Sequence, residues 1–140
     1  MNPLRIVVDT NVLISVALKP SGEQARLVNL LVSRAFEICV SEAMLAEYRE
    51  VFGRAKLSHV HPDVFPSMLA LIERRGTRFT PDRHLTISSH DSDNRFCECA
   101  DAADADYIVT GNLKHFPKPY KNTKIIVTRK LLELLAGLSG

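Results

Sequence analysis

Short apolar runs alternate along the chain with longer segments whose apolar residues recur at helical spacing. The short runs predict four buried strands, at residues 4–8, 36–40, 107–110 and 124–128. The longer segments predict six helices, at residues 12–18, 23–34, 42–52, 62–75, 92–103 and 129–138. Strands that alternate with helices in this way predict a three-layer α/β/α fold, with helices on both faces of a central, mainly parallel sheet.

Turn and capping residues fall at the breaks between these segments. Ser41 suits the N-cap of the helix at 42–52, and Gly53 and Gly76 suit helix ends. Residues 77–89 show no clear period, so we expect an irregular segment with short extended pieces. The sequence contains no internal repeat and no linker. We therefore expect a single domain over residues 1–140, with its core between about residue 4 and about residue 130.

The composition is that of an ordinary globular protein. Of the 140 residues, 46% are hydrophobic and 24% are charged, which suits one domain with a substantial core. The net charge of +2 permits a polyanionic partner without requiring one. Charge alone therefore leaves the function open.

The cysteines and the apolar runs bear on the cellular compartment. Three cysteines without framework spacing, Cys39, Cys97 and Cys99, are expected to be small buried side chains in a reducing cytosol. No secretory signal and no run of apolar residues long enough to span a membrane is recognisable. We therefore expect a cytoplasmic protein without a membrane segment.

Acidic and amide side chains follow the predicted strands or begin the helices beside them. Asp9 ends the first strand, Asn112 follows the third, and Glu47 projects beside the apolar face of its helix. Asp91 and Asp93 stand together at a helix start, which exceeds what capping requires. Ligands of open α/β sheets bind beyond the carboxyl ends of the strands. These side chains therefore form a candidate site.

The donor types at this site favour a particular kind of metal. Buried carboxylates are costly unless they are paired or bind a cation. The histidines and cysteines show no zinc spacing, and hard oxygen ligands select Mg²⁺ or Mn²⁺.

Four segments in order resemble the motifs of the PIN-domain family. The opening motif is similar to residues 9–13, the second to 41–48, the third to 93–100 and the fourth to 105–112. Their order and spacing fit the family from about residue 4 to about residue 130. Within it, the chain resembles the toxin components of toxin–antitoxin systems.

The resemblance implies a metal-dependent ribonuclease in which Asp9, Glu47 and Asp93 are the catalytic, metal-binding acids. Members often carry a fourth acid where this chain has Asn112. An amide oxygen can still bind a metal ion or water, and Asp91 is a further candidate ligand. The implied mechanism is cleavage of RNA by a water molecule that Mg²⁺ or Mn²⁺ activates, leaving 5′-phosphate and 3′-hydroxyl ends.

The resemblance also suggests supporting residues and partners. The side chains that would orient carboxylates or water, or else are ordinary caps and turns, are Thr10, Asn11, Ser41 and Thr110. The side chains that would contact RNA are Arg95, Lys114 and His115, with Lys118, Lys121 and Lys124 near them in sequence. The implied partners are an RNA substrate, a cognate antitoxin protein and a second copy of the chain in a homodimer.

Two other functions are compatible with parts of this pattern. A phosphatase or phosphotransferase would use Asp9 as nucleophile, but the corresponding pattern needs a second aspartate where Asn11 stands. A nuclease-like fold that only binds RNA or a protein would explain the neutral Asn112. Cleavage assays separate these readings.

Overall fold

A computed structural model describes most of the chain. The described residues are 3–18, 23–54, 60, 62–82, 84–86, 91–116 and 121–139. Within these ranges, the side chains left undescribed are those of residues 23–25, 91, 92, 115, 138 and 139.

Strands and helices alternate along the chain as the hydrophobic pattern predicts. The described strands are β1 Arg5–Val8, β2 Glu37–Val40, β3 Thr77–Arg78, β4 Tyr107–Val109 and β5 Lys124–Ile126. The described α-helices are α1 Thr10–Leu18, α2 Glu23–Val32, α3 Glu42–Arg54, α4 Val64–Arg75, α5 Asp91–Ala103 and α6 Thr128–Ser139. A short 3-10 helix covers Leu113–His115, in a stretch partly predicted as a loop.

The five described strands form one sheet in the order β3-β2-β1-β4-β5, and every neighbouring pair is parallel. The register sets Val7 beside Ile108 and Val8 beside Val109. Parallel strands end at a common edge, so whatever follows β1, β2 and β4 lies at the carboxyl edge of the sheet. The predicted fold class is confirmed.

β3 is the one described strand that the periodicity did not predict. It has two exposed residues and pairs with β2 at the sheet margin. The Phe79 N–H extends the pairing by donating to the Val40 carbonyl at 2.9 Å. Two residues are too few for alternation to be visible, which explains the omission.

The core lies between the sheet and the helices, and it fixes α3 against α5. The central strands β1, β2 and β4 are almost fully buried. Tyr48 packs between Phe52 and Phe96, with ring centres at 6.2 and 6.3 Å, and Phe52 stacks on Phe65 at 4.9 Å. Aromatic contacts of this kind hold α3 between α5 and α4.

The end of α2 departs from simple helix geometry. Beyond α2, Arg34 adopts a left-handed conformation with φ 61°. Its N–H donates to the Leu31 carbonyl at 3.1 Å, and the Ala35 N–H donates to the Leu30 carbonyl at 3.0 Å. This is the Schellman arrangement, and it ends α2 before Arg34, where the apolar pattern alone had extended the helix.

Gly76 ends α4, as its position in the sequence predicted. Its N–H donates to the Ile72 carbonyl at 2.7 Å. A Cβ at this position would lie 2.6 Å from the same carbonyl oxygen. The close approach explains why a glycine stands here.

None of the described helices is both long and apolar enough to cross a membrane.

All three cysteines are free thiols and are buried in the core. Burial is the main reason that the pKa of Cys39 and of Cys99 rises to about 12 and that of Cys97 to about 11. Electrostatic repulsion from Glu37 raises the pKa of Cys39 further. Repulsion from Cys39 does the same for Cys99, and repulsion from Asp93 does so for Cys97. The expectation that the cysteines are buried side chains is confirmed.

We expect the native thiols to react very slowly with a disulfide reagent such as DTNB. At about pH 8, where an ordinary thiol is partly ionised, raised pKa values keep these groups as unreactive thiols. Absorbance of released thionitrobenzoate should report almost no fast phase in the native protein and three thiols after denaturation. A fast native phase would mean that the core opens on the time scale of the assay.

Candidate active site

Asp9 stands at the end of β1, almost fully removed from solvent. It is 3% exposed, and its N–H donates to the Val109 carbonyl on β4 at 2.9 Å. The hydroxyl of the fully buried Thr110 donates to Asp9 Oδ2 at 2.7 Å. A buried carboxylate needs such donors, because burying it unpaired is costly. This contact fixes the carboxylate between the ends of β1 and β4.

Asp9 also begins helix α1. The Val12 N–H donates to the Asp9 carbonyl at 3.1 Å, and the Asn11 N–H lies 3.4 Å from Asp9 Oδ1. These are the contacts of an N-cap residue. The longer one is weak, so Oδ1 is held less firmly than Oδ2. Capping and ligand binding are therefore compatible at Asp9.

Glu47 reaches the carboxyl edge of the sheet from α3. The next residue, Tyr48, holds α3 at that edge. The hydroxyl of the fully buried Tyr48 donates to the Val8 carbonyl at 2.5 Å. Val8 directly precedes Asp9, so this bond ties α3 to the end of β1. Glu47 itself is half-buried.

Asp93 arrives from a third element. It lies in the first turn of α5 and is 4% exposed. α5 packs against β1 and α3, the elements that carry Asp9 and Glu47. Asp91 is the first residue of the same helix, and its side chain lies outside the described part of the chain.

The pKa of Glu47 is raised above its ordinary value, and the causes connect the three acids. Partial burial is the largest cause, and repulsion from Glu50 follows, with Arg54 opposing it. Asp9 and Asp93 raise the pKa further. Both carboxylates therefore lie close enough to Glu47 for their charges to be felt.

Thr10 and Ser41 complete the buried polar surroundings. Thr10 is 4% exposed, and its Oγ1 atom has no hydrogen-bond partner among the described residues. An unpaired buried hydroxyl is uncommon and marks a place for a further polar group. Ser41 caps α3, because its Oγ accepts the Met44 N–H at 3.2 Å. The Asn11 side chain, in contrast, is exposed.

Asn112 is joined to Asp9 through Thr110. Its N–H donates to Thr110 Oγ1 at 3.1 Å. Its amide oxygen accepts the Lys114 N–H at 3.1 Å and so caps the 3-10 helix. The neutral residue at this position therefore has a local structural role, and a metal ion would compete for an oxygen already in use.

Arg95, predicted to contact RNA, is held by an ion pair on α5. Its Nη2 atom lies 2.8 Å from Glu98 Oε2, and the Arg95 side chain is 24% exposed. The Leu85 N–H donates to the same oxygen at 2.8 Å, and His84 Nδ1 lies 3.5 Å from it. These contacts tie residues 84–86 to α5. A role in RNA binding stays a prediction, since this guanidinium already has an anionic partner.

The other predicted RNA contacts differ in placement. Lys114 is exposed on the 3-10 helix, next to Asn112. The side chain of His115 and the whole of Lys118 lie outside the described part of the chain.

Two further lysines lie away from Asp9, Glu47 and Asp93. Lys121 Nζ pairs with Asp101 Oδ1 at 2.8 Å. Lys124 begins β5 in register with Tyr107 at the start of β4, so it lies at the amino edge of the sheet. Nearness in sequence had suggested the catalytic edge for Lys124, and the parallel direction of β5 explains the difference.

Sequence reasoning missed two polar groups that hold this region together. The Tyr48 hydroxyl was not singled out, although a buried tyrosine hydroxyl normally has a partner. Glu98 is 7% exposed and was not singled out. Its signal was an acid within the otherwise apolar run Phe96–Ala100.

The donor chemistry fits a hard divalent cation, although a complete ligand set is not assembled. Asp9 and Asp93 add to the raised pKa of Glu47, and a cation would relieve this repulsion. The buried Thr10 hydroxyl, next to Asp9 in sequence, has no partner among the described residues. Among the described residues, no three carboxylate, imidazole or thiol groups lie together as a metal-binding cluster. Coordination by three protein ligands would therefore require side-chain movement or a ligand beyond the described side chains, whereas Mg²⁺ commonly uses one or two carboxylates and several water molecules.

A sequence model of the family described as PIN domain matches residues 5–114. The chain belongs to the PIN-domain family. The match contains Asp9, Glu47, Asp93 and Asn112. No curated protein sequence matches the chain.

A solved structure supports the PIN fold. The chain is similar to one in the crystal structure of VapBC2 from Rickettsia felis bound to a DNA fragment from their promoter. The TM-score is 0.60 at 19% identity, and the match covers 87% of this chain and 97% of the other. At this identity, the likeness establishes the shared fold alone.

Replacing Glu47 with Gln should stabilise the metal-free PIN domain at neutral pH. Because the folded-state pKa of Glu47 is raised, its ionised form opposes folding, and this penalty is absent below the ordinary value of 4.5. The stabilisation by Glu47→Gln should therefore grow as the pH rises through the folded-state pKa. Urea unfolding in EDTA over a pH series measures it.

Glu133→Gln, on an exposed part of α6, is the matched control and should show no such pH trend. A Glu47→Gln variant that is less stable at neutral pH would contradict the repulsive environment assigned to Glu47.

Proposed function

We propose that the chain is a divalent-metal-dependent ribonuclease that cleaves RNA phosphodiester bonds. The observation that carries this proposal is the burial of two acids, Asp9 at the end of β1 (3% exposed) and Asp93 in the first turn of α5 (4% exposed), on elements that pack against the helix of Glu47. Burial is the main cause of the raised pKa of Glu47, and Asp9 and Asp93 are minor causes. Acids from β1, α3 and α5 that repel one another at a sheet edge lower the stability of the fold. Stability alone therefore does not explain their placement. Metal-assisted hydrolysis explains such an arrangement, because the acids would hold the metal ion.

Asp9 and Asp93, with Glu47, would hold Mg²⁺ or Mn²⁺. When bound, such an ion lowers the pKa of water and offsets the charge on a phosphoryl group. Asn112 and Asp91 are the further candidate ligands. This assignment rests on the acids being oxygen donors that interact electrostatically.

The residues of the chain supply orientation and proton transfer. Thr110 restrains Asp9 by donating to Oδ2, and Tyr48 positions Glu47 by anchoring α3 to Val8. Glu47, which unlike Asp9 and Asp93 is reached by solvent, is the carboxylate that accepts a proton from the attacking water.

Asp9→Asn and Asp93→Asn should each abolish Mg²⁺- or Mn²⁺-dependent cleavage and leave the fold intact. We expect cleavage rates to fall by more than about a hundredfold, because positioned acids contribute factors of this size. Gel analysis of labelled RNA with Mg²⁺, with Mn²⁺ and with EDTA measures the rates. Circular dichroism monitors folding.

The matched control is Asp104→Asn, an exposed position at the end of α5 with φ 48°, which asparagine tolerates. It should cleave as the unchanged protein does. Full activity in Asp9→Asn or Asp93→Asn, or undiminished activity in EDTA, would rule out the mechanism.

A binding module without catalysis is the second candidate. It is favoured by the neutral Asn112, whose amide oxygen is engaged by Lys114, and by the lack of an assembled metal cluster among the described residues. Tight RNA binding without cleavage under every divalent ion would support it.

We further propose that the ribonuclease is the toxin of a toxin–antitoxin pair. The structurally similar VapBC2 is a complex of two components with DNA, which supports an antitoxin partner. An apolar recess of about 410 Å³ between α1, α2 and α4, lined by Val16, Val28 and Met68, is a surface for such a partner. A homodimer is the expected assembly of the toxin itself.

Expression in a bacterial host tests the toxin proposal. The unchanged chain should arrest growth and Asp93→Asn should not, because arrest depends on cleavage. A cognate antitoxin, sought among small proteins encoded by neighbouring reading frames, should restore growth on co-expression and copurify with the chain. Normal growth with abundant, active protein would exclude the toxin role.

A further inference from the structure

A recess lined by arginines lies at the amino edge of the sheet, away from the acids. It has a volume of about 250 Å³, and its walls include Arg34, Arg74 and Arg75, with Phe36 and Thr77. Arg34 precedes β2, and Arg74 and Arg75 end α4 just before β3. We call this feature the arginine recess.

The arginines of the recess differ from most others in the described chain. Five other arginines lie beside carboxylates, in the pairs Arg5–Glu37, Arg49–Glu73, Arg54–Glu50, Arg78–Glu42 and Arg95–Glu98. Arg34, Arg74 and Arg75 have no ion pair with any described residue. The buried Nε atom of Arg75 also has no hydrogen-bond partner there.

One acid, Glu37, also lines the recess, but it does not neutralise these arginines. Glu37 Oε2 faces Arg5 Nε at 3.5 Å. The recess is therefore lined by three arginines and by one glutamate whose carboxylate already faces Arg5. Like charges along one recess repel one another, and a bound anion would relieve that repulsion.

The backbone at Arg34 indicates that its side chain is not there for local stability. Its φ of 61° lies in the left-handed region, where glycine is favoured at the end of a Schellman motif. A residue with a Cβ is strained there by roughly 1–2 kcal/mol. The arginine thus occupies a position that glycine would fill more easily.

Helix electrostatics account for only part of the recess. Arg74 and Arg75 lie in the last turn of α4, where cations are favoured by the helix dipole. That effect acts within one helix end. It does not explain why Arg34, which follows α2, lines the same space.

We propose that the arginine recess binds phosphate groups of the RNA backbone. All three unpaired cations are arginines, whose planar guanidinium groups can hold two phosphate oxygens at once. A polynucleotide also needs cations away from the acidic centre, because carboxylates repel its backbone. The proposal therefore extends the substrate contact to the opposite edge of the sheet.

The location implies that an RNA must extend around the sheet from one edge to the other to engage both sites. A strand of four residues spans about 13 Å, which is the least separation between the two edges of the sheet. Short oligonucleotides at the acids would not reach the recess. This inference rests on the proposed ribonuclease function, and it specifies long or folded RNA as the preferred substrate.

Binding without cleavage provides the test. The full chain in EDTA is titrated into fluorescein-labelled long RNA and short RNA, and anisotropy is followed over a series of salt concentrations. The variants are Arg34→Gly and Arg74→Gln. Arg26→Gln on the exposed side of α2, outside the recess, is the control for loss of one positive charge.

Each recess variant should weaken binding of long RNA by about three- to tenfold and lower the slope of log affinity against log salt by about 0.7–0.9. The recess variants should bind short RNA as the unchanged protein does, and the Arg26→Gln control should bind both RNAs with unchanged affinity. Arg34→Gly should keep or raise the thermal unfolding temperature, because glycine relieves the left-handed backbone. Weaker binding in that variant is then not a result of unfolding.

Competition distinguishes other anions. If inorganic tripolyphosphate or polyglutamate binds the recess while the variants bind long RNA normally, a small phosphate compound or an acidic protein is the ligand, and the RNA proposal is wrong. Unchanged affinity and salt slope in both variants also overturns it.

The recess proposal and the ribonuclease proposal can fail independently of each other. Loss of long-RNA affinity in the recess variants, with no cleavage under any metal, would retain the recess and reject the catalytic function. Normal affinity in the variants, with cleavage that depends on Asp93, would do the reverse.

Discussion

Burial of the Asp9 carboxylate at the end of a central strand constrains the surrounding structure. The carboxylate is only 3% exposed, and its firmest partner is the Thr110 hydroxyl at the end of β4. That contact requires β1 and β4 to be neighbours, parallel and in register, which they are. The same edge then receives α1, which Asp9 caps, and α3, which Tyr48 ties to Val8. Local folding and the polar centre therefore depend on one another.

The distribution of charge between the sheet edges follows from this arrangement. Acids from three elements lie toward the carboxyl edge, where burial raises the pKa of Glu47 and the charges of Asp9 and Asp93 add to the effect. Three arginines that have no ion pair within the described part of the chain line a recess at the amino edge. The net charge of +2 conceals this separation, because a sum carries no information about position. A mildly basic chain can thus present one acidic and one basic region to a polyanion.

The fold was largely predictable from sequence, because its strands are buried on both faces and its helices are amphipathic. Four of the five described strands stand out as apolar runs, and their alternation with helices implies parallel pairing. β3 was missed because two exposed edge residues show no period. The end of α2 was placed late, since apolar spacing does not reveal the left-handed turn at Arg34.

The candidate site was predictable only in part. Asp9 and Glu47 could be singled out because each is an acid beside an apolar segment, and Asp93 because it and Asp91 together exceed what capping of a helix requires. The choice of the three as a set came from the family resemblance. The engagement of Asn112 by Lys114, and of Arg95 by Glu98, depends on contacts that spacing along the chain does not encode. Lys124 was misplaced for a related reason, because nearness in sequence does not tell which end of a strand a residue occupies.

The contacts of Glu98 have a consequence for motion. One carboxylate oxygen receives both the Arg95 guanidinium and the Leu85 N–H. Residues 84–86 are thereby fastened to α5, the helix whose first turn carries Asp93. Detachment of this loop would leave a buried anion with fewer donors, so the loop and the helix should open as one cooperative unit. Fluctuations there would be transmitted through α5 to the carboxyl edge of the sheet.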